Sequence, residues 1–371
     1  RDTQGGHAIV GAGTEERALA AVRYGWQSGE RHSVRISAKS SSRDEGYARA
    51  GQAADDWRMG RVSFRWDWDG GADAVKVSSD WYDGRAGEFR QPGDAGGLPG
   101  AVDAEHHGGN IQFNWSRRLS EANRLQARAY YERFTLDNPS VLREARDIYH
   151  VEFQHDLAPT ARQRLTWGAS YRDTQDEITD VRTFQFDPSS RHDRVTGAFV
   201  QDTIALVPGA LELTLGTKVE RNDYTGTEWQ PNARLAYFGH PRHMVWGAVS
   251  RAVRTPSRLD ADVVFAGARL GDGFDAERLT AYELGHRWQP NGVWSLDTAV
   301  FYNVYDDLQT VELAPLRFDN RMHGNTYGVE LNNRWQLRPW WRVDAAYTYL
   351  RMDLELDSGS TDIGRPRATE G

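Results

Sequence analysis

The chain contains no cysteine in 371 residues. Disulfides and thiolate metal sites are therefore excluded, and the redox compartment stays open. No apolar run approaches the roughly 20 residues that a spanning helix needs. There is no basic excess either: 45 Lys and Arg stand against 53 Asp and Glu, a net charge of −8 with both signs interspersed. Without a basic stripe, nucleic acid is not an expected partner. No linker, low-complexity tract or compositional shift divides the chain, so one continuous architecture over 1–371 is expected. No Gly-x-Ser-x-Gly elbow, His-Glu-x-x-His pair or phosphate-binding loop occurs, and no enzyme activity, cofactor or resident metal is expected.

What the chain does have is alternation. Leu211, Leu213, Leu215, Thr217 and Val219 interleave with Glu212, Thr214, Gly216, Lys218 and Glu220. Successive side chains of a strand point to opposite sides, so such a segment has one apolar and one wet face. The pattern recurs in Ile111-Phe113-Trp115, Leu165-Trp167-Ala169-Tyr171 and Val343-Ala345-Tyr347. Seventeen such stretches run from Gly6–Ala12 to Trp340–Leu354, among them Ala74–Asp83, Gly108–Leu119, Gln163–Asp173, Val293–Gln309 and Arg321–Gln336. They predict a large all-β antiparallel up-and-down barrel. The mean hydropathy of −0.71 does not argue against a membrane, because a barrel strand needs only every second residue apolar. A soluble barrel with an apolar inside gives the same periodicity. Strand length favours the membrane: most stretches reach the roughly 9–11 residues that a tilted strand needs to cross.

The connections are sorted by length. Ser28–Arg31, Asp69–Asp73, Ser120–Asn123, Ala158–Arg162, Val207–Ala210, Gly239–Arg242, Pro290–Gly292 and Leu337–Pro339 are tight and rich in turn formers. Alternating with them are mostly longer segments: Asp44–Asp55, Gly84–His107, Thr174–Arg191, Thr255–Ala276 and Thr310–Asn320. Gly13–Arg17 and Thr225–Thr227 are short members of that set. Turns then gather at one end of the barrel and loops at the other, as in outer-membrane barrels. Many of the 14 Trp, including Trp68, Trp115, Trp288, Trp294, Trp335, Trp340 and Trp341, sit near the ends of alternating segments. That is where an interfacial girdle would lie.

Several local motifs share a resemblance. Thr3-Gln4-Gly5-Gly6, Gly13-Thr14-Glu15-Glu16-Arg17 and Val22-Arg23-Tyr24-Gly25 resemble the plug-to-barrel junction and first hairpin of TonB-dependent outer-membrane receptors, and so does Asp55-Asp56-Trp57-Arg58-Met59-Gly60. Arg251-Ala252-Val253-Arg254-Thr255-Pro256-Ser257, Tyr282-Glu283-Leu284-Gly285, Phe301-Tyr302-Asn303 and Tyr327-Gly328-Val329-Glu330 are similar to that family's later strands, in the same order. The resemblance implies a transmembrane barrel of 22 strands, of which about 17 are present. It implies too that a plug, the last strands after Arg365–Gly371 and a leader peptide belong to a longer receptor. The implied localisation is the outer membrane of a Gram-negative cell. The implied partners are outer-membrane lipid, the TonB complex acting through the plug, and a metal-chelate or corrinoid ligand. The receptor is expected to be a monomer that imports a scarce nutrient such as an iron-siderophore.

By the same implication, ligand is captured on the loops and upper strand walls. The expected contacts are Tyr82, Arg85, Phe89 and Arg90; Phe184 and Phe186; and Arg254, Arg258, Phe265 and Phe274. Arginine can pair with anionic chelate oxygens, and aromatic rings can stack on flat ligand surfaces. Glu105-His106-His107 has ligating residue types, but in a Gly-rich setting that suits a solvated loop. Two alternatives stand beside this reading. One is a passive porin-like solute channel; the other is a secreted soluble β-protein, which would need internal repeats that the sequence does not show.

Overall fold

The computed structural model describes residues 3–49, 53–90, 100–180 and 185–363. In chain order its elements are β1 Gly5–Gly11, β2 Ala18–Ser28, β3 His32–Arg43, β4 Trp57–Asp69, β5 Asp73–Arg90, β6 Gly100–Ser120, β7 Asn123–Asn138, β8 Leu142–Thr160, β9 Gln163–Asp180 and β10 Gln185–Phe186. They continue with β11 Ser190–Val207, β12 Leu211–Asn222, β13 Gly226–His240, β14 His243–Arg254, α1 Arg258–Ala261, β15 Val263–Phe265, β16 Ala268–Arg269, β17 Glu277–Asn291, β18 Trp294–Leu313, β19 Leu316–Arg338 and β20 Trp341–Leu356. Seventeen strands, all but β10, β15 and β16, belong to one sheet, the number expected from the alternation. Phe184 and the stretch Arg365–Gly371 lie outside the described residues. Two compact units divide the chain. The first comprises Arg1–His155, Ala169–Thr196 and Val263–Gly267; the second comprises Asp156–Gly168, Gly197–Asp262 and Ala268–Gly371.

In the first unit, antiparallel register sets Val22, Ala38, Val62 and Trp81 side by side across β2–β5. One step toward the turns stand Tyr24, Ile36 and Phe64, and below them Trp26, Val34, Trp66, Val77 and Phe113. Trp68 and Trp115 close this apolar face at its turn end. The opposite face carries Arg23, Ser37, Ser63, Asp80, Asn110 and Glu132 in one row. The second unit repeats the arrangement. Leu213, Leu235, Gly247, Leu284, Val300, Val329 and Tyr349 form an apolar row over seven strands, from β12 to β20.

These apolar rows are not covered by protein. Leu235, Leu284, Val300 and Tyr349 are 45%, 55%, 43% and 48% exposed. Residues in the core of a soluble barrel would be buried. Among the described residues, the hydrophobic side chains that each unit does bury cluster at the loop end: Ala54, Ala104, Ile178, Phe186 and Val263 in the first, Leu270, Phe274, Ala276 and Met322 in the second. Covering the rows with acyl chains gains about 25 cal/mol for each Å² taken from water. The apolar face therefore meets lipid, which decides between the two readings that the periodicity allows.

The turns are as tight as expected, and Gly71 (φ +88°) and Gly209 (φ +73°) supply left-handed backbone that other residues rarely adopt. The loops are shorter than expected. β5 and β6 stay paired from Trp81–Gly109 out to Arg90–Gly100, through most of the segment read as the loop Gly84–His107. β18 and β19 stay paired to Leu313–Leu316, across the segment Thr310–Asn320. β9 likewise runs to Asp180. Beyond the apolar band both faces of a hairpin are wet, so the alternation vanishes while the ladder of backbone hydrogen bonds continues. The segments Thr174–Arg191 and Thr255–Ala276 hold β10, α1, β15 and β16, which no periodicity marks.

Val300 lies mid-row on the exposed apolar face of β18. Val300→Arg is expected to cost roughly 2–4 kcal/mol when folding into lipid vesicles is measured against denaturant, and Val300→Leu to cost little. A neutral arginine there would contradict this assignment of faces.

Candidate functional site

Each unit has its own loop-end cluster. In the first unit, Tyr82, Arg85, Phe89 and Arg90 all fall in the loop-side half of β5, but strand alternation separates them. No register shift interrupts β5 between Trp81 and Arg90. Arg85 and Phe89 therefore share the face of Trp81, while Tyr82 and Arg90 share the polar face of Asp80. Arg85 is held between two carboxylates, 3.1 Å from Asp56 and 3.0 Å from Asp103. The Nε of Arg90 donates to Ser140 Oγ at 3.3 Å.

The Tyr82 ring lies against the wall because its partner in β6 is Gly108; a Cβ there would come within 2.8 Å of the Tyr82 hydroxyl. Two residues on, the relation is reversed. His106 lies over Gly84, whose Cβ would come within 2.4 Å of the imidazole. The two rings are 6.3 Å apart. Register adds Lys39, Arg61 and Phe134 to the row of Tyr82, and the Arg146 guanidinium sits 5.3 Å over the Phe134 ring. Arg61 is 2.9 Å from Asp80. The result is a polar-face strip of flat aromatic rings and cations on the loop side of the unit. Lys39, Arg61, His106, Phe134 and Arg146 were not among the expected contacts. Extending the wet-face parity of β3–β7 toward the loops would have found them.

The same parity disposes of the Glu105-His106-His107 run. His106 is on the polar face, whereas Glu105 and His107 are on the other. Among the described residues no group of three or more His, Cys, Asp or Glu is placed to hold a metal. On the turn side of the same polar face, Arg65, Asp67, Lys76, Asn114, Arg128 and Glu152 line a cleft of about 520 Å³. Phe186 is buried and pairs with Val263, while Phe265 in β15 is 41% exposed.

In the second unit, Arg254 ends β14 and pairs with Asp260 (3.3 Å) and Glu277 (3.5 Å). Ser257 caps α1, and the Asp260 carboxylate accepts from the Ser257 N–H and hydroxyl, both at 2.9 Å. Gln309 ties both acids to β18: its Nε2 donates to Asp260 (3.0 Å) and its backbone N–H to Glu277 (2.8 Å). Arg258 pairs with the fully buried Asp262 at 2.8 Å. Gly271 passes so close beneath α1 that a Cβ would lie 1.8 Å from the Asp260 carbonyl oxygen. Phe274 is buried in this loop. The Arg251–Ser257 motif is thus the start of a loop pinned by ion pairs, in which Arg254 and Arg258 already have carboxylate partners.

A second pin lies nearby. The buried Glu312 near the β18–β19 tip accepts from the Thr361 N–H (2.6 Å) and from the Ser360 and Thr361 hydroxyls (both 2.8 Å). Asp362 in turn accepts from the Val311 N–H at 2.8 Å. Burial would raise the Glu312 pKa, but these hydrogen bonds, with one from Thr310, outweigh it and bring it down to about 2. A depressed carboxyl stabilises above its unfolded value and loses that contribution as pH falls through its folded value. Proteolysis between residues 357 and 363 is therefore expected to be slow and pH-independent above pH 4.5, and to accelerate as pH falls toward 2. Glu312→Gln should cut readily throughout. Identical cleavage of the two proteins would rule out the pin.

A family model described as TonB dependent receptor-like, beta-barrel matches residues 17–369. The siderophore receptor PirA from Pseudomonas aeruginosa superposes with a TM-score of 0.72 at 14% identity, over 94% of this chain and 65% of that one. The FrpB iron transporter from Neisseria meningitidis gives 0.71 at 12% identity, over 91% and 60%. A variant of the ferric enterobactin receptor PfeA from Pseudomonas aeruginosa, solved with enterobactin, gives 0.73 at 14% identity, over 93% and 62%. At such identities the likeness is one of fold. The chain spans less than two thirds of the length of these solved receptors. No curated protein matches significantly in sequence.

Proposed function

The chain belongs to the TonB-dependent receptor-like β-barrel family, and from that premise we propose that it forms wall and loops of a Gram-negative outer-membrane receptor that captures and imports a scarce nutrient. The family consists of transport receptors rather than enzymes, and the proposed chemistry is recognition only. The cargo is an anionic metal chelate such as an iron-siderophore, with a corrinoid as the other candidate, and import is energised through the TonB complex. The receptor works as a monomer in outer-membrane lipid. The observation that carries the reading is the loop-side polar strip of Tyr82, His106, Lys39, Arg61, Phe134 and Arg146, set on a sheet whose other face is apolar and exposed. Cations meet chelate oxygens and flat rings stack on aromatic donors.

Of the residues picked from the sequence, Tyr82 and Arg90 are the stronger ligand contacts, because they share the face of this strip. Arg254, Arg258, Phe186 and Phe274 support the binding loops from within, while Phe265, Arg85, Phe89 and Phe184 complete the candidate set. Tyr82→Ala and Arg90→Ala are each expected to weaken chelate binding by about 1–2 kcal/mol. Phe89→Ala, on the opposite face of β5, should change it by less than a factor of about two. Titration of the purified receptor with ferric chelates checks this; a larger loss from Phe89→Ala than from Tyr82→Ala would move the site elsewhere.

The broader reading is tested by growth. A strain relying on this receptor is expected to grow on one defined ferric chelate or on cobalamin, and to lose that growth when TonB is deleted. Growth that persists without TonB would favour a passive channel.

A further inference from the structure

The apolar face of the second unit ends, on its turn side, in a belt of indoles. Trp288 and Trp294 have ring centroids 4.8 Å apart, and Trp294 and Trp335 6.2 Å apart. The Trp294 Nε1–H donates to Asn333 Oδ1 at 2.6 Å. Indoles prefer the depth at which lipid headgroups begin. Set into this belt are three imidazoles that no ligand role above uses. His240 ends β13, His243 begins β14, and His286 lies on β17 in the row next to His243. His243 Nδ1 and His286 Nε2 are 2.9 Å apart, with ring planes within 4°. The His240 ring is 4.8 Å from that of His243, and its Nδ1 accepts from the Arg242 N–H at 3.1 Å.

Charge decides what this cluster can meet. The row of His243 continues through Trp288, Leu296, Asn333 and Ala345, and holds no acid. The row of His286 runs from Val245 through Thr298 and Leu331 to Tyr347, again without one. The nearby pair of Arg287 with Asp297, 2.5 Å apart, belongs to the polar face. Arg242 in the turn adds a fixed positive charge. A proton shared between His243 and His286 satisfies both while the pair is neutral. A second proton leaves a cation with no carboxylate partner on its own face, at the depth of phosphate groups.

We propose that His240, His243 and His286, with Arg242, bind the headgroup phosphate of an anionic phospholipid in the leaflet on the turn side of the sheet. The inference rests on the outer-membrane reading above. Imidazole N–H groups donate to phosphate oxygens, and the charge-assisted form of that bond is the stronger. Protonation adds positive charge to the cluster, so the preference for anionic lipid grows as pH falls.

The test uses the protein reconstituted in phosphatidylcholine vesicles with graded phosphatidylglycerol, and lipid retention read by native mass spectrometry. At pH 6 phosphatidylglycerol should be retained roughly fivefold over phosphatidylcholine, narrowing by pH 8. The combined variant His240→Asn, His243→Asn and His286→Asn should lose the difference while keeping the heat-modifiable mobility of an inserted barrel. Equal retention of the two lipids at pH 6, or a preference that survives the variant, overturns the proposal. Zinc displacing no lipid but binding only when the histidines are present would also overturn it, in favour of a metal pair. Failure of the unmodified protein to insert at all would sink the outer-membrane reading, and this site with it.

Discussion

Everything in this chain follows from the need to pair backbone N–H and C=O groups where lipid offers no partner. A strand cannot satisfy its own groups, so each must lie against a neighbour along its full crossing. The unbroken registers of β2 with β3, of β4 with β5 and of β14 with β17 meet that need. Pairing fixes side-chain parity, and parity fixes which groups meet lipid. Close pairing also constrains volume. Trp246 on the polar face lies over Gly285, where a Cβ would approach the indole within 2.2 Å. Phe301 lies likewise over Gly328, where the approach would be 2.8 Å. At these two positions the ring occupies space that a partner side chain would fill.

The two ends of the strands answer different demands. At the turn end the chain reverses in a few residues, and indoles with their hydrogen-bonding edge finish the apolar face. At the loop end the ladders run on into water, and the protein builds its own small cores around Ile178 and Phe186 and around Leu270 and Phe274. Those cores need polar scaffolding. Arg254 between Asp260 and Glu277, and Arg85 between Asp56 and Asp103, supply it. An arginine already placed between two carboxylates is a weak recruiter of anionic ligand, because a new partner must displace an existing one. In the proposed receptor, recognition falls to cations and rings of the polar face, where Lys39, Tyr82 and His106 stand.

How far the sequence could be read followed the same division. Wherever one face meets lipid and the other water, alternation was explicit, and the stretch Leu211–Val219 reappears in β12 with the facing expected of it. The count of strands and the sorting of turns were legible for the same reason. Past the band the signal stops: Gly84–Arg90 has no apolar side to mark yet remains strand, and before Val311 and Leu313 the phase is broken by register shifts after Tyr305 and Leu308. The short helix after Ser257 escaped because one turn of helix has no period to detect. Its capping serine and Asp260 were visible only as part of a motif. Tyr82 lay near the end of an expected strand and Arg85 near the start of an expected loop; once β5 is known to run on to Arg90, the odd and even positions separate.

The charged face balances much of its own charge. On a strand, residues two apart share a face, as residues four apart do on a helix. Several acids and bases use this spacing: Arg65 with Asp67 and Arg342 with Asp344, at 2.7 and 2.6 Å, and Lys218 with Glu220. Each pair neutralises charge within one strand, and Asp344 also reaches Arg334 of β19 at 2.9 Å. The polar face can therefore be densely ionic and still nearly neutral over the length of two residues. Such a stretch offers hydrogen-bonding capacity without a strong net field. Elsewhere the pairing by two is broken: Arg35, Arg128 and Arg234 have no acid at that spacing. Lys39 is such a position: its neighbours at that spacing, Ser37 and Ser41, are uncharged, and it lies in the row of Tyr82. At these positions, Arg234 over the Trp246 ring at 4.4 Å among them, the face carries charge that its own strand does not offset.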